Sequence, residues 1–191
     1  MEQIMNLLNG DFGKQITAGI SQQTGASESE THSVVSAALP ALLGALQNNA
    51  SGDGAQGILS AISSKHDGSI LDNLSGFFNS GDTSDGSGIL KHVLGGQQGV
   101  LEQSISGKTG VSSGTVSKIM AMLAPIVMGY LGKQSRSNNV NDGNGLNNLL
   151  GGLLGGQSGS NILSGMLDQN GDGKLGIDDV GGLLGGFFGK K

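Results

Sequence analysis

The sequence predicts an all-α fold: an internally duplicated helical bundle followed by a C-terminal helix-loop-helix. Three observations carry this. A thirteen-residue apolar run, Val34–Leu46, returns 85 positions later as Ile119–Leu131. The only two prolines of the chain, Pro40 and Pro125, occupy matching places in the two runs. Near the C-terminus, residues 168–179 place oxygen-bearing side chains at the spacing of a calcium loop.

The offset of 85 runs without a gap. Gly10 matches Gly95, Ile20 matches Ile105 and Ser21 matches Ser106, while Thr24-Gly25 matches Thr109-Gly110 and Ser27 matches Ser112. Apolar positions follow, with Ile4, Met5, Leu8 and Ile16 falling on Ile89, Leu90, Val93 and Leu101. A register held over roughly 45 residues reads as two copies of one structural unit. Copy one lies within 1–50 and copy two within 86–137 of a domain covering 1–145, and 146–191 forms a separate Gly/Leu-rich tail.

Each copy parses as a short helix, a turn and a long helix, and residues 2–8 read as a helix ahead of the first. In the Thr-Gly-x-Ser turn, Gly25 or Gly110 ends one helix in the left-handed conformation. Ser27 or Ser112 offers its side-chain oxygen to cap the next. The run that follows is apolar nearly all the way round, which suits the middle of a bundle. Pro40 and Pro125 lack an amide hydrogen and crowd the carbonyls of Ser36 and Ala121, so each is expected to kink or restart its helix. Thirteen apolar residues fall short of the about 20 that a bilayer span needs. The two runs are therefore expected as a core pair about a pseudo-twofold axis, with Gly44 and Gly129 allowing close approach.

Between the copies, 48–56 reads as a loop. Ile58–Ser64 and Ile70–Phe78 read as short helices around a break at His66-Asp67-Gly68, and 79–88 reads as a linker. Residues 135–145 are polar. From Leu146 the composition changes, and Leu149–Gly156 recurs in part as Gly181–Phe188. Glycine costs about 1 kcal/mol relative to alanine inside a helix, so a Leu-Leu-Gly-Gly helix should form only when docked. It offers either a smooth small-residue face to the bundle, or a glycine-spaced surface for self-association or membrane contact.

Of 191 residues, 37 are glycine and none is tryptophan or cysteine. The core must be built from Leu, Ile, Val, Met and Ala, and disulfides, thiolate metal sites and cysteine nucleophiles are excluded. The first residues carry no basic stretch ahead of an apolar run, so a secretory signal is not expected and a cytoplasmic location is. The net charge of −5 is uneven. Residues 1–64 carry Glu2, Asp11, Glu28, Glu30 and Asp53 against Lys14; residues 86–137 carry Lys91, Lys108, Lys118, Lys133 and Arg136 against Glu102. Opposite charge could dock the halves to each other or to the next molecule head to tail, or it could be drift of solvated faces.

The strongest chemical signal is the loop from Asp168 to Asp179. Calcium takes six to eight hard oxygens, which a twelve-residue loop supplies from positions 1, 3, 5, 7, 9 and 12. Asp168, Asn170 and Asp172 provide the first three, the Lys174 backbone carbonyl the fourth, and Asp179 the last. Gly173 permits the sharp turn, and Gly176 leaves its place to water. Asp179 is shorter than the usual Glu, which implies modest affinity. The stretch resembles an EF-hand loop, and Asp-x-Asn-Gly-Asp-Gly with a final Asp resembles the loop of dockerin modules. Dockerins carry two such loops and this chain has one, so their partner binding is not implied. A single hand is expected to pin the glycine-rich tail in a folded state.

The duplicated unit, with Ala-Leu-Pro-Ala-Leu-Leu-Gly-Ala-Leu and Leu-Ala-Pro-Ile-Val-Met-Gly-Tyr-Leu, resembles the YidB-like family of bacterial proteins over about residues 1–155. That resemblance implies an all-helical fold and no activity, because the family is itself of unknown function. No catalytic constellation is read from the chain: His32, His66 and His92 are scattered in sequence, and the glycine runs lack a phosphate-loop Lys-Ser/Thr. The expectation is a non-catalytic structural or self-associating protein with one calcium site. The rival reading is DNA binding through 108–119, whose Lys-Thr-Gly-Val-Ser-Ser turn and following helix look like a helix-turn-helix. Against it stand Glu28 and Glu30 in the equivalent first helix and the acidic balance of the chain.

Overall fold

The computed structural model describes residues 8–156, and these form helices joined by short turns, with no strand among them. Helix α1 spans Asp11–Thr24, α2 Glu28–Ala50, α3 Ala55–Ser64, α4 Ser69–Asp72 and α5 Leu74–Ser80. Helix α6 spans Ser84–Leu94, α7 Gln98–Thr109, α8 Ser113–Ser137 and α9 Gly143–Leu153, with a 3-10 turn at Gly95–Gln97 between α6 and α7.

The α1–α2 and α7–α8 corners share most of their bonds. Gly25 (φ 73°, ψ 6°) and Gly110 (φ 74°, ψ 1°) both take the left-handed conformation and end their helices. Ser21 Oγ donates to the Ala26 carbonyl at 2.6 Å, and Ser106 Oγ to the Val111 carbonyl at 2.6 Å. Thr24 Oγ1 reaches back to the Ile20 carbonyl and Thr109 Oγ1 to the Ile105 carbonyl, each at 2.8 Å. Ser27 Oγ accepts from the Glu30 amide and Ser112 Oγ from the Thr115 amide, each at 3.2 Å. Only the first corner completes a capping box, because Glu30 returns its carboxylate to the Ser27 amide at 2.8 Å.

The long helices are core helices, as their all-round apolarity requires. Every residue from Ala38 to Leu46 in α2 and from Ile119 to Gly129 in α8 is buried. The two helices pack against each other, and α1 and α7 each touch both of them. At 25 residues, α8 is long and apolar enough to cross a bilayer, so the short apolar run was no argument against a span. Of its apolar window, 72% is buried inside the fold.

Neither proline restarts its helix; both α2 and α8 run through. Pro125 has no N–H for the carbonyl of Ala121. That oxygen is covered instead by the backbone of Gly86 in α6, where a Cβ would overlap it. Gly129 does not open a path to α2. A Cβ there would run into the side chain of Ile70, and one at Gly132 would meet the carbonyl of His66. The glycines of α8 therefore seat the connector between the copies.

The connector is more helical than its composition suggested. Ser84–Gly88, expected as linker, is the first half of α6, and Asn73 splits the expected Ile70–Phe78 helix by capping α5 through the Gly76 amide at 3.1 Å. Its acids also take the bases of the second copy: Arg136 meets Asp67 at 3.0 Å and Lys133 meets Asp72 at 3.9 Å. Among the described residues, no ion pair joins an acid of 1–64 to a base of 86–137.

Helix α9 begins at Gly143, capped by Asp142, and docks on α2. Asn147 Nδ2 donates to the Ala50 carbonyl at 2.8 Å, and Ser51 Oγ donates to Asn147 Oδ1 at 3.0 Å. Leu146, Leu150 and Leu154 lie at 0% exposure while Gly152 is exposed, so a leucine row, not a glycine face, makes the contact. Leucines at i, i+4 and i+8 bury far more apolar area than glycines can, which offsets the glycine cost in the helix.

Candidate functional site

A groove of about 500 Å³ lies between α3 and α6. Its wall is apolar, with Ile58 and Ala61 from α3, Ile89 from α6 and Met128 from α8, and its polar groups are Lys65, His66, Ser84, Asp85 and His92. Helical geometry brings the last group together. Asp85, Gly88, Ile89 and His92 fall at i, i+3, i+4 and i+7 on α6, which places them on one face. His66 follows the C-terminus of α3, where its amide closes the helix by bonding to the Ala61 carbonyl at 3.0 Å.

His66 is 7% exposed, and its Nε2 lies 3.7 Å from Asp85 Oδ2. Burial holds its pKa below the ordinary histidine value; Asp85 acts against that shift and Lys65 with it. The neutral imidazole is thus the favoured form near pH 7. The neighbouring Asp67 is held well below the usual carboxylate range, first by hydrogen bonding to Ser69 and then by Arg136. These interactions, with Gly132 seated on the His66 carbonyl, hold the base of the groove.

His66 and His92, 26 positions apart in sequence, line one groove with Asp85. The legible signal was the i, i+7 spacing of Asp85 and His92, hidden because 79–88 was read as linker. Among the described residues no three His, Asp or Glu side chains already converge on a metal position. The calcium ligands read from sequence, Asp168, Asn170, Asp172, the Lys174 carbonyl and Asp179, lie outside the described residues.

The 108–119 segment forms the second corner. Lys108, Ser112, Ser113, Gly114 and Lys118 are exposed there, while Val111, Val116 and Ile119 are buried. Two of its polar side chains are spent on the turn itself: Ser112 caps α8, and Thr109 bonds back to Ile105.

No curated protein and no solved structure matches the chain. A family described as bacterial protein of unknown function (DUF937) matches residues 6–134. The match takes in both corners and nearly all of both long helices, and stops before α9 and the 168–179 loop. It bears out the expected bacterial family of unknown function at that coarser level and over a shorter span than 1–155. The chain belongs to the DUF937 family of bacterial proteins of unknown function.

Proposed function

We propose that this chain is a non-catalytic, self-associating structural protein, made from a duplicated corner-and-long-helix unit and carrying one calcium site at 168–179. The observation that carries the reading is the pair of corners. Four polar or glycine positions at a constant offset perform the same conformational and hydrogen-bonding tasks, so these repeated residues serve architecture. The reciprocal contacts of α1 and α7 with both long helices support a pseudo-twofold arrangement of the copies.

Self-association rests on the charge left over after folding. Glu28 of the first copy and Asp53 just after it, and Lys91, Lys108 and Lys118 of the second, are exposed and form no ion pair among the described residues. Their separation onto the two copies suits head-to-tail contact. The calcium site rests on the ligand spacing alone, and its role is to stabilise the tail that follows α9. DNA binding through 108–119 is the weaker reading, since the equivalent helix start in the first corner carries Glu28 and Glu30, which phosphates would repel.

Sedimentation of the full chain over a hundredfold concentration range, at low and high salt, tests assembly. Growth in mass at low salt that salt reverses is expected; a monomer throughout refutes self-association. Calorimetric titration with calcium, and melting with and without chelator, test the loop. A melt that chelator leaves unchanged refutes the tail-stabilising role.

A further inference from the structure

We propose that the outward face of α9 is the docking site of the chain's own segment 162–167, which leads into the 168–179 loop. Helix α9 is apolar on two faces. Leu146, Leu150 and Leu154 are fully buried in the fold, while Leu149 and Leu153 beside them are only half-buried. With Val140 these two line a groove of about 440 Å³, and none of its described lining residues is charged. Gly145, Leu149, Gly152 and Leu153 fall at i, i+4, i+7 and i+8, which is one helical face. Gly152 leaves that face open, since a Cβ there would meet nothing within 4 Å. A ridge of two leucines beside a glycine gap accepts the ridge of a second helix.

Three observations choose the occupant. The chain leaves α9 at this groove. Gly155 (φ 68°) and Gly156 (φ 79°) are both left-handed, and the Gly156 amide donates to the Gly151 carbonyl at 2.8 Å, which closes the helix and turns the chain off its axis. Only 157–161, Gln-Ser-Gly-Ser-Asn, separate that turn from the next apolar residue. Connections of about 2–8 residues join neighbouring antiparallel helices. Ile162, Leu163, Met166 and Leu167 then follow at i, i+1, i+4 and i+5, the spacing of one apolar helical side, and 157–167 carry no charge, which matches the groove. As a helix, 162–167 would be about 9 Å long, against about 12 Å for the face from Gly145 to Leu153. A second copy of the chain offers the same residues, but a segment on a short tether acts at a roughly millimolar effective concentration. The docking needs no ion, so it stands or falls apart from the calcium reading.

The test is amide hydrogen exchange of the full chain in saturating calcium, read by mass spectrometry across a roughly hundredfold dilution. Gly152→Lys places a charge over the groove while replacing glycine by a good helix former near the C-terminus of α9, where the macrodipole favours a cation. It therefore blocks the groove without weakening α9, and Leu149→Lys removes half of the leucine ridge. Asn144→Ala, at an exposed position of α9 outside the groove, is the control. Wild type is expected to exchange at 162–167 at least tenfold more slowly than an unprotected peptide, at every dilution. Both groove variants should remove that protection while α8 and α9 keep theirs, and the control should leave it unchanged. Exchange of 162–167 at the peptide rate in wild type, or protection that Gly152→Lys leaves unchanged, overturns the proposal. So does protection that disappears on dilution, which would give the face to a second copy, or protection that Gly152→Lys removes at 183–188 instead.

Discussion

The contact between Gly86 and the Ala121 carbonyl can be tested against a control in the same helix. Gly86 is buried on α6, and an added Cβ would overlap an oxygen that Pro125 leaves without its helical donor. A backbone oxygen in the middle of α8 cannot swing aside as a side-chain tip would, so α6 must move off the core. Overpacking of this kind costs up to about 3 kcal/mol. Against it, alanine gains about 1 kcal/mol over glycine inside a helix. Gly86→Ala should therefore lose about 2 kcal/mol net. For a chain of this length that is about 4–8 °C in Tm, at roughly 2–4 °C per kcal/mol. Gly88, one half-turn on, is exposed and meets nothing within 4 Å, so Gly88→Ala should keep the propensity gain and raise Tm by about 2–4 °C. Thermal melts followed by circular dichroism at 222 nm read both. If Gly86→Ala proves as stable as Gly88→Ala, the reasoning about the freed carbonyl is wrong.

Ser27→Ala and Ser112→Ala each remove an N-cap and should each cost about 1 kcal/mol in urea denaturation, with Ser27→Ala the more costly because it also breaks the capping box. Glu30 is held below its ordinary value of 4.5 by hydrogen bonds from the Ser27 side chain and then its backbone amide. A folded-state pKa depressed in this way contributes stability that is present above the unfolded value and lost as pH falls through the folded one. Wild type should thus melt above Glu30→Gln at neutral pH, with the two curves converging in acid; a gap independent of pH would show that the carboxylate charge is irrelevant. Leu150→Ala, at a fully buried position of α9, should cost about 2–5 kcal/mol locally. Its hydrogen exchange should rise in α9 and around Ala50 before it rises in α8.

The corners were legible because their chemistry is local. A left-handed glycine two residues before a capping serine needs no knowledge of the rest of the chain, and the same bonds recur at Ser21 and Ser106. The buried long helices were legible for a related reason, since an uninterrupted apolar run leaves no face for water. Three readings went astray where a neighbour decides. The linker at 79–88 became half of α6 because Gly86, a poor helix former alone, is the residue that fits against the Ala121 oxygen. Pro125 stays within an unbroken helix, with the Ala121 carbonyl it frees covered by Gly86. The glycine face expected of the tail gave way at α9 to Leu146, Leu150 and Leu154.

The groove shows the same division. Nothing in the spacing of His66 from His92 marks them as neighbours, because α3 and α6 are brought together by their shared packing on α2 and α8. The order of residues along the chain determined the two matching turns and the two inner helices, all of which depend on contacts within about four positions. Which glycines meet which carbonyls, which acids pair with Lys133 and Arg136, and which titratable groups face one another were decided by tertiary packing. Those contacts join segments tens of residues apart, and each exists only once the others have formed.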